Sequence, residues 1–227
     1  MATENWKLSP SDFAFLWEDC KRCYYLKVVS GFNRPHTIMP KVFNVIDRGM
    51  KTAFADRHTR EILPGMPPGV LCGADQWVES APITVGGHRS SCFLRGKLDT
   101  MVRCDDGSYA VIDFKSSTRN EEHISLYARQ LHAYAYGLEN PSAGHGSRQR
   151  VTRMGLLVFE PTLFSASKSP TVSLAGGLSW IEIPRDDASF LQFISEVFDV
   201  LEKPTPPGGS PSCEWCAYRD ASRRTGL

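Results

Sequence analysis

The sequence predicts an α/β fold built on a central mixed β-sheet flanked by helices. Two observations point there. Helix-like stretches with apolar residues every three to four positions alternate with short period-two stretches, in the order helices, three-strand meander, helix, further strands. The chain has 227 residues, 41% of them hydrophobic, which suffices for one good core with at most a small appended subdomain. No repeats or heptads interrupt this plan.

The opening "LSPSDFAFLWEDCKRCYYLKV" reads as a helix. Ser9 suits the N-cap, Pro10 the first helical position, and Asp12 completes a capping box. Phe13, Leu16, Trp17 and Tyr24 fall on one stripe. After the loop "FNRPHTIMP", a second helix is expected from Lys41 to about Glu61, with Phe43, Ile46, Met50, Ala53 and Phe54 on its apolar side. Strands are expected near Gln76–Val85, Cys92–Arg103 and Ser108–Lys115, followed by a helix near Asn120–Tyr136. Strands return near Val151–Glu160 and Leu178–Ile183. Asp186 caps a last helix that turns Phe190, Phe193, Ile194, Val197, Phe198 and Leu201 inward, and Pro204 stops it. "PTPPGGSPS" links it to "CEWCAYRD".

Net charge is +1, so any basic surface must be local. No apolar run is long enough to span a membrane. The N-terminus lacks the basic-then-apolar layout of a signal peptide. A cytoplasmic protein is expected, whose seven cysteines stay reduced or bind metal.

"GKLDTMVRCDDGSYAVIDFKS" (Gly96–Ser116) reads as a β-hairpin. Its "DDG" bend, Asp105–Gly107, fits a three-residue loop with Gly107 in the left-handed region. That bend faces Cys104 with Ser108, Asp99 with Asp113 and Lys97 with Lys115. Facing side chains lie about 4.5–5.5 Å apart at Cβ. Asp113 and Lys115 share one face, while Ala110, Ile112 and Phe114 form an apolar face for a helix. A solvated face with salt bridges would account for an isolated D-x-K. Two converging carboxylates, however, repel and raise one pKa, and a divalent cation relieves the conflict. Hard oxygen ligands suit Mg²⁺ or Mn²⁺.

Gly96-Lys97-Leu98-Asp99 followed by Asp113-Phe114-Lys115 resembles the G-x-x-D … D-x-K core of the PD-(D/E)XK nuclease superfamily. The resemblance implies a restriction-endonuclease-like core. By likeness, Asp99 and Asp113 would be metal ligands, the Phe114 backbone carbonyl a further ligand, and Lys115 the catalytic lysine. "YARQLHAYAY" places Gln130 and Tyr134 one helical turn apart. This pair resembles the extra motif of RecB-like nucleases, a group that includes a CRISPR-associated exonuclease, and it implies that both residues border the active site.

Cys20, Cys23, Cys213 and Cys216 form two C-x₂-C pairs, enough for a tetrahedral site holding zinc or an iron–sulfur cluster. The flanking "CKRCYYLK" and "CEWCAYR" resemble the iron–sulfur staple of RecB-like nucleases, which implies a [4Fe–4S] cluster, with Zn²⁺ as the alternative. The relatives place one such cysteine near the N-terminus and three near the C-terminus. Here Cys23 is additional, and Ser222 stands at the last position. Cys72, Cys92 and Cys104 lack the spacing and read as structural.

The resemblance also departs at the G-x₃-H motif, whose histidine is a metal ligand. Gly49 is followed four residues later by Ala53, and Asp56, one turn further, is a candidate substitute ligand. Arg95 and Lys97 share the acid-bearing face and are the DNA-contact candidates. The expected organisation is a single nuclease domain over residues 1–227. It comprises a helical N-terminal part (8–60), a nuclease core (76–200) and the cysteine staple (20–23 with 213–216).

The expected function is a metal-dependent deoxyribonuclease, an exonuclease acting on single-stranded DNA or DNA ends. A helicase or CRISPR adaptation and repair proteins are the implied partners. The alternative is a catalytically weak or inactive DNA-binding module of the same fold. A third reading is a zinc-stabilised protein unrelated to nucleic acid.

Overall fold

The structure is a computed structural model, and it describes residues 4–35, 38–116, 121–166 and 171–225. The expected mixed α/β architecture is present. In chain order the elements are β1 (Asn5–Leu8), α1 (Pro10–Ala14), α2 (Leu16–Asp19), α3 (Lys21–Ser30), α4 (Lys41–Phe54), β2 (Gly69–Cys72), β3 (Trp77–Glu79) and β4 (Ile83–Thr84). There follow β5 (Ser91–Lys97), β6 (Thr100–Cys104), β7 (Tyr109–Ser116), α5 (Glu121–Glu139), β8 (Val151–Ala166), β9 (Val172–Glu182), α6 (Asp187–Leu201) and α7 (Glu214–Arg224). Asn120, the expected start of α5, lies outside the described residues. Among those residues, no helix is long and apolar enough to cross a membrane.

The larger sheet has the order β2-β6-β7-β8-β9. The β6–β7 hairpin has the expected register, with Thr100 facing Ile112 and Arg103 facing Tyr109. Its bend closes as expected: Gly107 has φ +80°, its amide donates to the Cys104 carbonyl at 3.0 Å, and the Cys104 amide donates to Ser108 at 2.8 Å. A φ of that sign costs glycine nothing. β7 then runs parallel to β8, the connection passing through α5.

β7 is buried on both faces. Ala110, Ile112 and Phe114 pack with Leu71, Val102, Leu157 and Met50 of α4, so the apolar face meets a helix as expected. Val111 lies in a second cluster with Leu131, Tyr134, Ala135 and Leu138 of α5.

Several expectations need correction. The strand expected over Cys92–Arg103 is two strands in two sheets. β5 belongs to a smaller sheet, in which it pairs in parallel with β1 and antiparallel with β3 and β4. The chain leaves that sheet at Leu98–Asp99 and enters the larger one at Thr100. Lys97 therefore faces Trp77, not Lys115. β3 and β4 divide the strand expected over Gln76–Val85, and β1 and β2 were not foreseen.

The first helix is three short ones, with Ser9 making no side-chain cap. Asp12 instead pairs with Lys27 at 2.7 Å. α4 ends at Phe54, short of Glu61. Phe43 and Ala53, expected on its apolar side, are exposed. β9 begins at Val172 rather than near Leu178.

α6 agrees with the sequence in detail. The Asp186 side chain accepts from the Ser189 amide at 2.9 Å, and all six expected apolar residues are buried. They pack on Trp6, Leu8, Phe13, Trp17 and Tyr24. Phe198 is fully buried and lies 5.9 Å from the Trp6 ring. Phe198→Ala should lower the unfolding free energy by about 3–5 kcal/mol, read from urea denaturation; a loss below about 1 kcal/mol would contradict this packing.

Candidate active site

The break at Leu98–Asp99 shapes the site. Leu98 is fully buried in the cluster beneath α5, which anchors the corner. Asp99 then folds its carboxylate back on β7, where Oδ2 accepts the Phe114 amide at 3.1 Å. Its other oxygen meets Lys51 Nζ of α4 at 3.0 Å.

Asp113 lies at the centre of β7 and is 3% exposed. Its Oδ1 accepts from Gln130 Nε2 at 3.1 Å. Its Oδ2 is buried against the Lys115 ammonium, with which it forms an ion pair. Burial pushes the Asp113 carboxyl up to about 6; the Asp99 charge adds to the rise and Lys115 opposes it. Burial works against the Lys115 charge, but Asp113 holds its ammonium above the ordinary lysine range. Lys115 also lies 4.5 Å from the Tyr127 ring centroid.

Tyr134, one turn beyond Gln130 on α5, donates its hydroxyl to the Lys97 carbonyl at 2.7 Å. Gly96 makes room for it: a Cβ there would lie 3.0 Å from the Tyr134 hydroxyl and 2.8 Å from Pro10 Cδ. The structure thus brings Asp99, Asp113, Lys115, Gln130 and Tyr134 to one place, with the Phe114 backbone between the two acids.

The candidate substitute ligand Asp56 does not ride one turn further along α4, because that helix has already ended. Asp56 sits in the left-handed region at φ +58°, exposed, with its amide on the Leu71 carbonyl. Ala53 is exposed as well.

α4 contributes Lys51 instead. Its ammonium meets Asp47 at 3.1 Å, Asp75 at 3.0 Å and Asp99 at 3.0 Å. Burial lowers its pKa, but the Asp99, Asp75 and Asp47 carboxylates outweigh that and hold it well above the usual lysine range. Sequence reading missed Lys51 and Asp75. The Asp47–Lys51 spacing of four offered half the signal, whereas Asp75 lies in an irregular loop.

Lys97 borders this group, 3.4 Å from Asp75. Arg95 pairs with Glu79 at 3.3 Å and lies over the Trp77 ring. Both basic side chains are about half exposed, at 50% for Lys97 and 47% for Arg95.

The donor set suits a hard divalent cation: two carboxylates converge, and the Asp113 oxygen not held by Gln130 faces the Lys115 ammonium. A second metal-type cluster lies elsewhere. The sulfurs of Cys20, Cys23, Cys213 and Cys216 are all buried and lie within 4.8 Å of one another. Burial raises the Cys20 pKa, but amide hydrogen bonds from Ser210 and Cys23 outweigh it and draw the thiol below the usual range.

The sequence profile of the PD-(D/E)XK nuclease superfamily matches residues 74–221. The chain belongs to that superfamily, whose members are usually nucleases. Among solved structures, the one described as "Crystal structure of SSO0001" is similar with a TM-score of 0.50 at 13% identity, covering 96% of this chain and 84% of that one. At that identity the likeness speaks for the fold alone. No curated protein matches.

Titration and substitution check this geometry. A carboxyl titration followed by ¹³C NMR should place the Asp113 midpoint near 6, and Asp99→Asn should lower it by removing a like charge. A folded pKa above the unfolded 3.8 means that this group's contribution to stability is complete below 3.8 and is lost as pH rises through about 6. Gly96→Ala should cost about 1–3 kcal/mol by displacing Tyr134 or Pro10, read from thermal unfolding.

Proposed function

We propose that the protein is a Mg²⁺- or Mn²⁺-dependent deoxyribonuclease that hydrolyses phosphodiesters in single-stranded DNA or at DNA ends, as an exonuclease. The observation that carries this reading is the convergence of Asp99 and Asp113 beside the Phe114 amide, with Lys115 in ion contact with Asp113. Nucleic acid is the substrate that the superfamily implies, and DNA is the proposal within it.

Asp99, Asp113 and the Phe114 carbonyl would hold the divalent ion, which supplies Lewis-acid charge at the scissile phosphate. The protein's own groups do the rest. Gln130 fixes the rotamer of Asp113 through one oxygen and leaves the other to Lys115. Lys115, held as an ammonium, can hydrogen-bond the attacking water or the phosphate oxygens. Lys51 offsets the charge of Asp99 and pins it against β7. Tyr134 secures the β5 end of the corner through the Lys97 carbonyl. Lys97 and Arg95 offer exposed cationic contacts for the sugar-phosphate chain.

The second reading, a DNA-binding module without hydrolysis, draws on Ala53 in place of the motif histidine and on Lys51 occupying one oxygen of Asp99. One experiment separates the two. Purified protein should degrade end-labelled single-stranded DNA with Mn²⁺, and Asp113→Ala and Lys115→Ala should each cut the rate at least about a hundredfold with circular dichroism unchanged. Salt-sensitive DNA binding with no cleavage in Mg²⁺ or Mn²⁺ would select the binding module. Cleavage that survives both substitutions would remove this site from the chemistry.

A further inference from the structure

The resemblance to RecB-like nucleases implies a [4Fe–4S] cluster on the four cysteines, and the sulfur positions do not fit one. Cys20 Sγ lies 3.6 Å from Cys216 Sγ, and Cys23 Sγ lies 3.6 Å from Cys216 Sγ and 3.7 Å from Cys213 Sγ. All four stand within 4.8 Å of one another. Four thiolates at about 2.3 Å from one tetrahedral zinc have edges of about 3.8 Å. A cubane interposes four irons and four sulfides, so its terminal thiolates occupy the corners of a much larger tetrahedron. Nor are these distances disulfides, whose sulfurs bond at about 2.05 Å.

We propose that the staple is a mononuclear Zn²⁺ centre rather than an iron–sulfur cluster. The backbone supports the smaller ion. Cys20 is the N-cap of α3 and Cys213 the N-cap of α7. Cys23 and Cys216 follow in the first turn of each helix. Each C-x₂-C pair therefore presents two sulfurs from one helix start, where free amides and the helix dipole favour thiolate. Two such starts facing each other complete a tetrahedron without intervening atoms.

On the linker side the sulfurs are closely packed. A Cβ on Gly209 would lie 2.8 Å from Cys216 Cβ and 3.1 Å from its Sγ, so the linker backbone is pressed against the site.

Charge agrees. Zn²⁺ with four thiolates carries two net negative charges, the four thiol protons having passed to solvent on binding. Arg34 donates to Cys213 Sγ at 3.1 Å, and the Ser210 amide reaches Cys20 Sγ at 3.5 Å. Arg22, one residue from Cys23, pairs with Asp220 of α7 at 2.9 Å. This inference rests on the thiolates alone and stands or falls independently of the nuclease reading.

The test uses the full chain, purified anaerobically from cells supplied with both iron and zinc. The expected result is about one zinc per chain, no acid-labile sulfide and no broad visible charge-transfer absorption. Exchange with Co²⁺ should give the intense ligand-field bands of a tetrahedral tetrathiolate, saturating at about one equivalent. Cys213→Ser should weaken Co²⁺ uptake and shift those bands; if that variant does not fold, the wild-type stoichiometry and spectrum still decide. Stoichiometric iron with inorganic sulfide overturns the proposal. So does a chain that carries no metal and takes up no Co²⁺.

Discussion

Burying the Asp113 carboxylate in the middle of a sheet is the constraint around which the rest is arranged. A desolvated acid on a central strand costs several kcal/mol unless its oxygens are answered. One oxygen is answered by Gln130 from α5, and the other faces Lys115 two residues along the same strand. That demand fixes the side of the sheet on which α5 lies and the turn at which Gln130 sits. It brings Tyr134 to the β5 end of the corner, where only glycine at position 96 leaves it room. The second acid reaches the same place because the chain changes sheets just before it.

Lys51 gives the site a second layer of charge balance. Its ammonium gathers Asp47, Asp75 and Asp99, three acids from three separate segments, into one ion group. An exposed ion pair contributes little, but a half-buried network with a shared cation resists rearrangement better. α4 thus holds the acidic corner from one face of the sheet while α5 holds it from the other. This division gives α4 a structural hold on the same carboxylate.

Much of this could be read in the residues. The hairpin register followed from "DDG" alone, since a one-residue slip would have turned Asp113 to the opposite face. The apolar face of α6 followed from its period and from Asp186. What could not be read has a common cause. The corner at Leu98–Asp99 carries no glycine or proline, and it forms because Leu98 is drawn into the core, a tertiary event with no local signature. The four-residue strands β1 and β2 are too short for period-two patterning to stand out. Lys51 and Asp75 meet across 24 positions, through a long side chain whose reach no spacing rule reports. The early stop of α4 removed Asp56 from the helical face on which it had been counted.

The cysteine cluster has a topological consequence. Cys20 and Cys216 are 196 positions apart, so a single ion bound there closes the chain from α3 to α6, with β2 to β9, into one ring. Long rings lose the most conformational freedom on closure. Full unravelling of the chain then has to wait for the ion to let go, and the durability of the domain becomes a matter of ligand exchange rate as much as of packing. An otherwise ordinary sheet protein would in that way acquire a kinetic clasp, opened by whatever competes for its thiolates.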